Sequence, residues 1–534
     1  MALRRQRSNE VVLLLQPKTC HLPTYSWMQP VRPLLICSMG RAQLPPLTRS
    51  GTTKTTMAPS ATDPIDSPQV EDTQDTVGAE SQYDVIIVGG GFAGVGAAIG
   101  ARQACPLGRI LVLESESCLG GAGTHRGVYS LCGLYTCTDR PKRTVGSIWD
   151  MLHKLLLEIG ATDLKPTRHR GVFQVCPRQV LQTVFTPRGT EYVTNSMQIF
   201  EPEGMKYALD ILLTEHDIDV LLHSPVIAAT RSPHGAITSV TVQERRGPTV
   251  FHGRAFVDAS GDGDLAYHGG ASIRYGNHGS INMGTLSTRF GGLRHAAPTA
   301  ELWRQAISAA KSQDPGLAKR LPKVSSVQIR LPKSGDVTTY LASASYDARD
   351  SRSITRAEQL GKAQAQEYLK VLRKLPGHES MYLVSSGPNF GTRESRHINA
   401  KYQLRVQDID ERTRFEDCIA ICGWGMEWHD ETVKDCASTF TLPPHEIFEI
   451  PLRCLQSEDT PNLLAAGRCL DGDRLAGSAA RVMGTGLATG QAAGIAAGLF
   501  ATQGCPPDFK EVQKILRRNG AIIDGDALPD GMRL

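Results

Sequence analysis

An α/β fold built on a parallel sheet is predicted by three observations: a short apolar strand that runs into consecutive glycines, a small-residue helix directly after them, and an acidic residue closing the next apolar strand. They lie in YDVIIVGGGFAGVGAAIGAR, which begins at Tyr83, and in RILVLE, which ends at Glu114, twenty positions after Gly94. Val85 to Val88 form a continuous apolar run suited to a strand buried on both faces. Gly89 permits the tight bend, Gly91 lets the backbone approach a pyrophosphate, and Gly94 lets the helix pack closely on the strand. The helix N-terminus offers unpaired N–H groups and the positive end of its dipole to an anion. A lone glycine fingerprint is weak; the preceding strand, the helix through Ala97, Ala98 and Ala101, and Glu114 at the distance of a ribose acceptor make this one a dinucleotide site.

At 534 residues the chain exceeds one ordinary domain. A net charge of +4 with 21% charged residues gives no basic face for nucleic acid. Before residue 60 the arginines and lysines face a single acid, Glu10. Residues 1–80 therefore read either as a mitochondrial targeting leader or as a disordered extension, with Met57 opening an ordinary N-terminus. No run reaches about 20 apolar residues, so no membrane span is expected and an intracellular, cytoplasmic setting is. The thirteen cysteines show no metal-ligand spacing and read as reduced thiols, Cys132 and Cys137 being the pair nearest the second glycine turn.

Along the chain, LGGAGTHRG makes that second glycine turn, and a helix is expected over 204–216. IDVLLHSPVIAAT follows, with a proline marking a strand edge, and then the two alternating strands AITSVTVQE and TVFHGRAFVDAS, the second opening into another glycine turn. Mixed helices and strands with longer polar connections fill 273–440, including a helix near ITRAEQLGKAQAQEYLKVLRKL. Residues 463–466 read as a short buried strand, and from Gly484 a helix carries Gly486, Gly490, Gly494 and Gly498 at helical spacing, a stripe for close packing against sheet or cofactor. The expected organisation is a first cofactor-binding part over 81–272, a substrate or cap domain over 273–440, the return of the first domain over 441–505, and a C-terminal helix and tail over 506–534.

The set DVIIVGGGFAGVGAAIGAR, LGGAGTHRG, FVDASGDGDLAYHGGA, GTRESRHI, IPLRCL and NLLAAGRCLDGDRLAGSAARVMGTGLATGQAAGIAA resembles the FAD-dependent oxidoreductase family, related to the glutathione-reductase-like flavoprotein superfamily. The similarity runs from about Tyr83 to Gly520. It implies a Rossmann-like FAD-binding domain with a discontinuous mixed α+β substrate domain, and one tightly held FAD, since no second complete fingerprint is present. By this resemblance Gly89, Gly91, Phe92, Ala93 and Gly94 hold the pyrophosphate and Glu114 the adenosine ribose. Gly120, Gly121 and Thr124 run beside pyrophosphate and flavin, Val226 meets the adenine, and Ser260, Gly261 and Asp262 follow the phosphate and ribityl chain. Arg468 and Asp473 follow the returning strand, while Gly484, Thr485, Gly486 and Leu487 set a helix N-terminus beside the flavin pyrimidine, where its dipole favours negative charge on the reduced ring. The family usually carries a histidine soon after the GRC strand; here CLDGDRLAGS offers Asp471 and Asp473 instead.

Flavin reduction by hydride transfer needs a base for the released proton and an anchor for the small-molecule substrate. Trp428, His429 and Asp430 stand where relatives carry a segment facing the active site, so His429 is the first candidate base. His397, after the RES motif on a possible helix, is the second. Arg393 and Arg481 are candidate clamps for a carboxylate or carbonyl, and His125 is a candidate for a covalent flavin bond. Three classes follow: a dehydrogenase, oxidase or desaturase, a flavin monooxygenase reduced by NADPH, and a non-catalytic escort protein of the same fold, the last disfavoured by the complete set of glycines with Glu114.

Overall fold

Val85, Ile86 and Ile87 are wholly buried because the strand they form, β1 (Gln82–Val88), has parallel neighbours on both edges and packed layers on both faces. The computed structural model describes residues 81–174, 190–293, 299–431, 435 and 438–531, all within the unit Gln74–Leu534; the leader expected over 1–80 lies outside them. β1 is followed by the helix α1 (Phe92–Ala104) and by β2 (Ile110–Leu113), which pairs parallel to it.

The main sheet has seven strands, in the order Asp219–Leu221, β2, β1, Gly247–Asp258, Ile237–Glu244 and Val226–Arg231, with Leu463–Ala465 also paired to Gly247–Asp258. The twelve-residue strand Gly247–Asp258 divides its work. Its first half pairs antiparallel with Ile237–Glu244, and its last residues pair parallel with Leu463–Ala465. Registers Val88↔Asp258 and Ala465↔Asp258 then bring three parallel carboxyl ends to one level. Three turns leave that edge, 89–91, 259–263 and 466–468, which is where an open α/β sheet places its ligand.

The helix Met483–Gln503 lies along α1. A Cβ at Gly490 or Gly494 would overlap the carbonyl oxygens of Ala93 or Ala97, and reciprocally one at Gly96 or Gly100 would overlap those of Leu487 or Gln491. The glycine stripe read from the sequence is thus a helix–helix contact surface at backbone distance. Among the described residues no helix is long and apolar enough to cross a membrane.

Two further sheets carry the rest. A four-stranded antiparallel sheet orders Gln328–Arg330, Val337–Ala344, Gly284–Gly291 and Tyr382–Ser386, its Phe290, Val337 and Leu341 packing on Trp303, Ile307, Tyr368 and Leu372 of the helices Ala300–Gln313 and Ser351–Leu372. A five-stranded sheet orders Met426–His429, Ser438–Thr441, Thr167–Gln174, Thr190–Ile199 and Ser130–Leu131. This sheet draws strands from both sides of residue 272. The α/β architecture with a Rossmann-like head and a discontinuous mixed second region is the observed one.

Candidate active site

Gly89 turns the chain with φ +100°, and a Cβ at Gly94 would overlap the Gly89 carbonyl oxygen, so strand and helix close on each other only through glycine. Glu114 ends β2 6% exposed, accepting Gly90 N–H at 2.6 Å on Oε2 and Glu116 N–H at 2.9 Å on Oε1. Each oxygen keeps acceptor capacity for a ribose hydroxyl. Ser224 N–H donates to the Glu114 carbonyl at 2.8 Å, which carries Val226 to the same end. Gly91 bridges to Gly120, whose φ is +105°. Thr124, buried, donates its hydroxyl to Leu119 O at 2.7 Å and so braces this turn rather than turning outward.

The groove between these turns fits a dinucleotide. A Cβ at Gly91 would come no closer than 3.8 Å to the Gly121 Cα, and one at Gly486 would meet Ala93 and Gly467 only at 3.9 Å. α1 and the helix Met483–Gln503 both begin at this space without a side-chain cap, leaving amides for phosphate and for the flavin pyrimidine edge. Thr485 points its hydroxyl away, to Cys422 Sγ at 3.5 Å, so Gly484 to Leu487 can serve a ligand only through backbone.

Asp262 lies between the guanidiniums of Arg126 and Arg468, at 3.5 and 3.7 Å. Burial alone would raise its carboxyl, but Arg468 and Arg126 outweigh it and hold it below the ordinary value. Its Oδ1 is buried without a hydrogen-bond partner, as a ribityl hydroxyl would require, and two cations around one carboxylate leave positive charge for a pyrophosphate. Ser260 is spent locally: its hydroxyl donates to Asp258 at 2.7 Å. A Cβ at Gly261 would overlap the Arg468 guanidinium. Asp473 caps the helix Arg474–Ala480, accepting from Leu475, Ala476 and Val406 N–H, a structural use that leaves it no evident part toward a cofactor.

Of the catalytic candidates, His429 lies on another strand. In Met426–His429 side chains alternate, so Glu427 and His429 share a face while Trp428 turns to the other, under the Arg474 guanidinium at 4.2 Å. His429 Nε2 stands 3.2 Å from Glu427 Oε1, and its Nδ1 is buried without a partner. Burial, then Arg393 and Lys323, push the imidazole well below its ordinary pKa against the pull of Glu427. Burial would raise the Glu427 carboxyl, but His429, Arg481 and Arg393 hold it below the usual range. The pair is therefore a neutral imidazole donating from Nε2 to a carboxylate, with a free lone pair on Nδ1.

Arg393 donates to Met283 O at 2.5 Å and Thr285 Oγ1 at 2.6 Å, and burial with Arg481 nearby lowers its pKa to about 10. Arg481 reaches Glu427 Oε2 only at 3.7 Å, and its Nε is buried without a partner. His397 does not join this group in the way expected. It lies in the strand Arg396–Ile398, not on a helix, because residues 396–398 pair with Ile273–Tyr275; both ring nitrogens are engaged, Nδ1 with Leu470 O at 2.9 Å and Nε2 with Glu394 at 3.3 Å. His125 is likewise held, its Nε2 2.7 Å from Cys118 O. Cys132 has its thiol pushed up to about 12 by burial and then Glu427, which keeps it protonated. Glu427, Arg126, Tyr340 and Lys323 were not singled out in the sequence; Glu427 alone carries a local signal, the strand alternation that sets it beside His429.

The model of the FAD-dependent oxidoreductase family matches residues 84–516. The chain belongs to that family. As an FAD-dependent oxidoreductase it is an enzyme, and its cofactor is FAD. A curated FAD-dependent monooxygenase of Pyrenophora dematioidea is 36% identical over 74 residues, 13% of this chain and 14% of that relative, so the chain spans a small part of its length. Among solved structures, the myxobacterial chondrochloren halogenase overlaps this FAD-dependent oxidoreductase with TM-score 0.41 at 14% identity, over 82% of this chain and 79% of the other. The geranylgeranyl bacteriochlorophyll reductase-like protein of Thermoplasma acidophilum does so with TM-score 0.39 at 12% identity, over 82% and 84%.

Proposed function

We propose that this FAD-dependent oxidoreductase oxidises a small organic molecule at a carbon bearing a hydroxyl or amine, with His429 as the base. The carrying observation is the His429–Glu427 contact of 3.2 Å with a buried, unpartnered Nδ1. When bound, FAD would supply a two-electron acceptor for the substrate C–H bond, with oxygen or another acceptor as the eventual oxidant. His429 Nδ1 takes the O–H or N–H proton as the carbonyl or imine forms, and Glu427 steadies the imidazolium through Nε2. Arg393 and Arg481 orient the substrate. The glycine cradle of 89–94, 120–121 and 484–487, with Glu114, Asp262, Arg126 and Arg468, is the proposed cofactor seat, and the three aligned strand ends support placement in the glutathione-reductase-like superfamily.

A second reading, an NADPH-reduced monooxygenase, is favoured by the 36% identical segment shared with an FAD-dependent monooxygenase. Anaerobic mixing separates the two. Bleaching of the flavin by NADPH alone supports the monooxygenase; bleaching by an organic substrate without NADPH supports the oxidation proposed. In the second case His429→Ala should keep its FAD and lose on the order of a hundredfold or more in reduction rate, and an unchanged rate removes His429 from the mechanism.

A further inference from the structure

Around Glu427 two buried guanidiniums have no hydrogen-bonded carboxylate. Arg393 spends its Nη1 on a carbonyl and a hydroxyl, both neutral acceptors, and among the described residues it makes no ion pair. Arg481 has the Glu427 carboxylate at 3.7 Å, beyond hydrogen-bond reach, donates from Nη2 only to the neutral Glu427 backbone carbonyl at 3.4 Å, and has Nε without a partner. The one carboxylate between them is already engaged by His429 Nε2. Glu394, the next acid toward Arg481, is taken by Asn277 Nδ2 at 2.8 Å, Asn282 N–H at 2.8 Å and His397 at 3.3 Å.

Nor can the remaining neighbours supply an anion. Burial, then the charges of Arg393 and Lys323, keep His429 neutral, and burial keeps the Cys132 thiol and the Tyr340 phenol protonated. Lys323, 5% exposed, adds a further cation facing the imidazole. Buried guanidiniums without a hydrogen-bonded carboxylate are costly, and a planar fork with an open Nε matches a planar carboxylate.

We infer that the substrate is an organic carboxylate, its anionic group seated on Arg481 and Arg393 beside the His429–Glu427 pair. This rests on the reading of that pair as the oxidation site and names the substrate class. The oxidised carbon then lies next to or near the carboxylate, within reach of His429 Nδ1, so 2-hydroxy acids and amino acids are the kinds of molecule the site suits.

The test is made on oxidised FAD-loaded enzyme without turnover. Acetate, pyruvate and benzoate are titrated beside acetamide and benzamide, and the flavin absorption spectrum is followed. At least one carboxylate should give a saturable perturbation that its amide does not. Arg481→Gln should weaken that binding about tenfold to a hundredfold at full FAD content, while Glu427→Gln, which removes the competing negative charge, should tighten it. If no carboxylate perturbs the spectrum, if amides bind as well, or if Arg481→Gln leaves carboxylate affinity unchanged, the inference is overturned. A change only in flavin reduction potential in Arg481→Gln would instead assign the charge to the reduced ring, and would also overturn it. Because binding is read without reduction, these failures leave the His429→Ala measurement free to decide the oxidation reading by itself.

Discussion

His429 Nε2 and Glu427 Oε1 lie 3.2 Å apart on one face of the strand Met426–His429, two residues separated by a single turn of the pleat. The geometry commits Nε2 as the donor and leaves Nδ1 as the lone pair, so the carboxylate decides which nitrogen can act as a base. Backbone contacts keep the arrangement in place: His429 N–H donates to Asn282 Oδ1 at 2.9 Å, and Asn282 Nδ2 donates to Glu427 O at 3.0 Å.

Glu427→Gln keeps the shape but not the charge. The amide can still accept from Nε2–H, yet it no longer stabilises an imidazolium, and substrate-driven flavin reduction should slow on the order of a hundredfold or more. Anaerobic stopped-flow absorbance reads this directly. The same change removes the carboxylate 3.7 Å from the Arg481 guanidinium, so the midpoint of thermal unfolding should also fall.

A pH dependence follows from the depressed imidazole. The folded pKa of His429 is below the ordinary 6.5, because burial, Arg393 and Lys323 outweigh Glu427; the unfolded chain therefore binds its proton first. Stability is intact above pH 6.5 and is lost as pH falls from there toward the folded value, at up to about 1.4 kcal/mol per pH unit for one proton. His429→Gln should flatten that part of the profile. Urea unfolding at pH 7.5, 6.0 and 5.0 checks it: parallel profiles for the variant and the parent chain would exclude His429 as the source.

How much of this was legible beforehand differs by residue. β1, its glycine turn and α1 were readable because the apolar run, the glycines and Glu114 are all local in sequence. His429, Arg393 and Arg481 stood out through family motifs, and the structure brings them around Glu427. Glu427 itself was readable only from the two-residue strand period that places it beside His429. Tyr340 and Lys323 were not: Tyr340 lies in Val337–Ala344, whose strand partners Gly284–Gly291 and Gln328–Arg330 are set by long-range pairing, and Lys323, in the loop before Gln328, is placed by contacts with Tyr368 and Tyr340. The same cause misplaced His397: the strand Arg396–Ile398 exists only by pairing with residues 273–275, more than a hundred positions earlier.

Two glycines of the fingerprint should separate cofactor binding from folding. Gly91→Leu fills open space facing Gly121, so the apoprotein should keep its melting temperature while losing yellow colour and the stabilisation that FAD confers, about 2.7 kcal/mol at a hundredfold excess over Kd. Gly94→Ala forces a methyl into the Gly89 carbonyl and should lower the apoprotein melting temperature itself. Equal behaviour of the two variants in a thermal shift assay with and without FAD would contradict the division.

The contact between α1 and the helix Met483–Gln503 offers the sharpest test of the fold. Gly494 has the Ala97 carbonyl where its side chain would be, and Gly100 has that of Gln491, so neither helix can retreat from one clash without opening the other contact. Gly494→Val should destabilise the protein by about 1–3 kcal/mol or more, the usual cost of overpacking a closed interface, and should weaken FAD binding as well, because the same helix begins at Gly484 to Leu487 beside the proposed flavin seat. Gly504→Ala, at the exposed end of that helix where no atom lies within 4 Å, is the matched control: its φ of +76° confines the cost to backbone strain of about 1 kcal/mol, and FAD affinity should not change. Retained affinity in Gly494→Val alongside a lowered unfolding midpoint would uncouple the helix contact from the cofactor site.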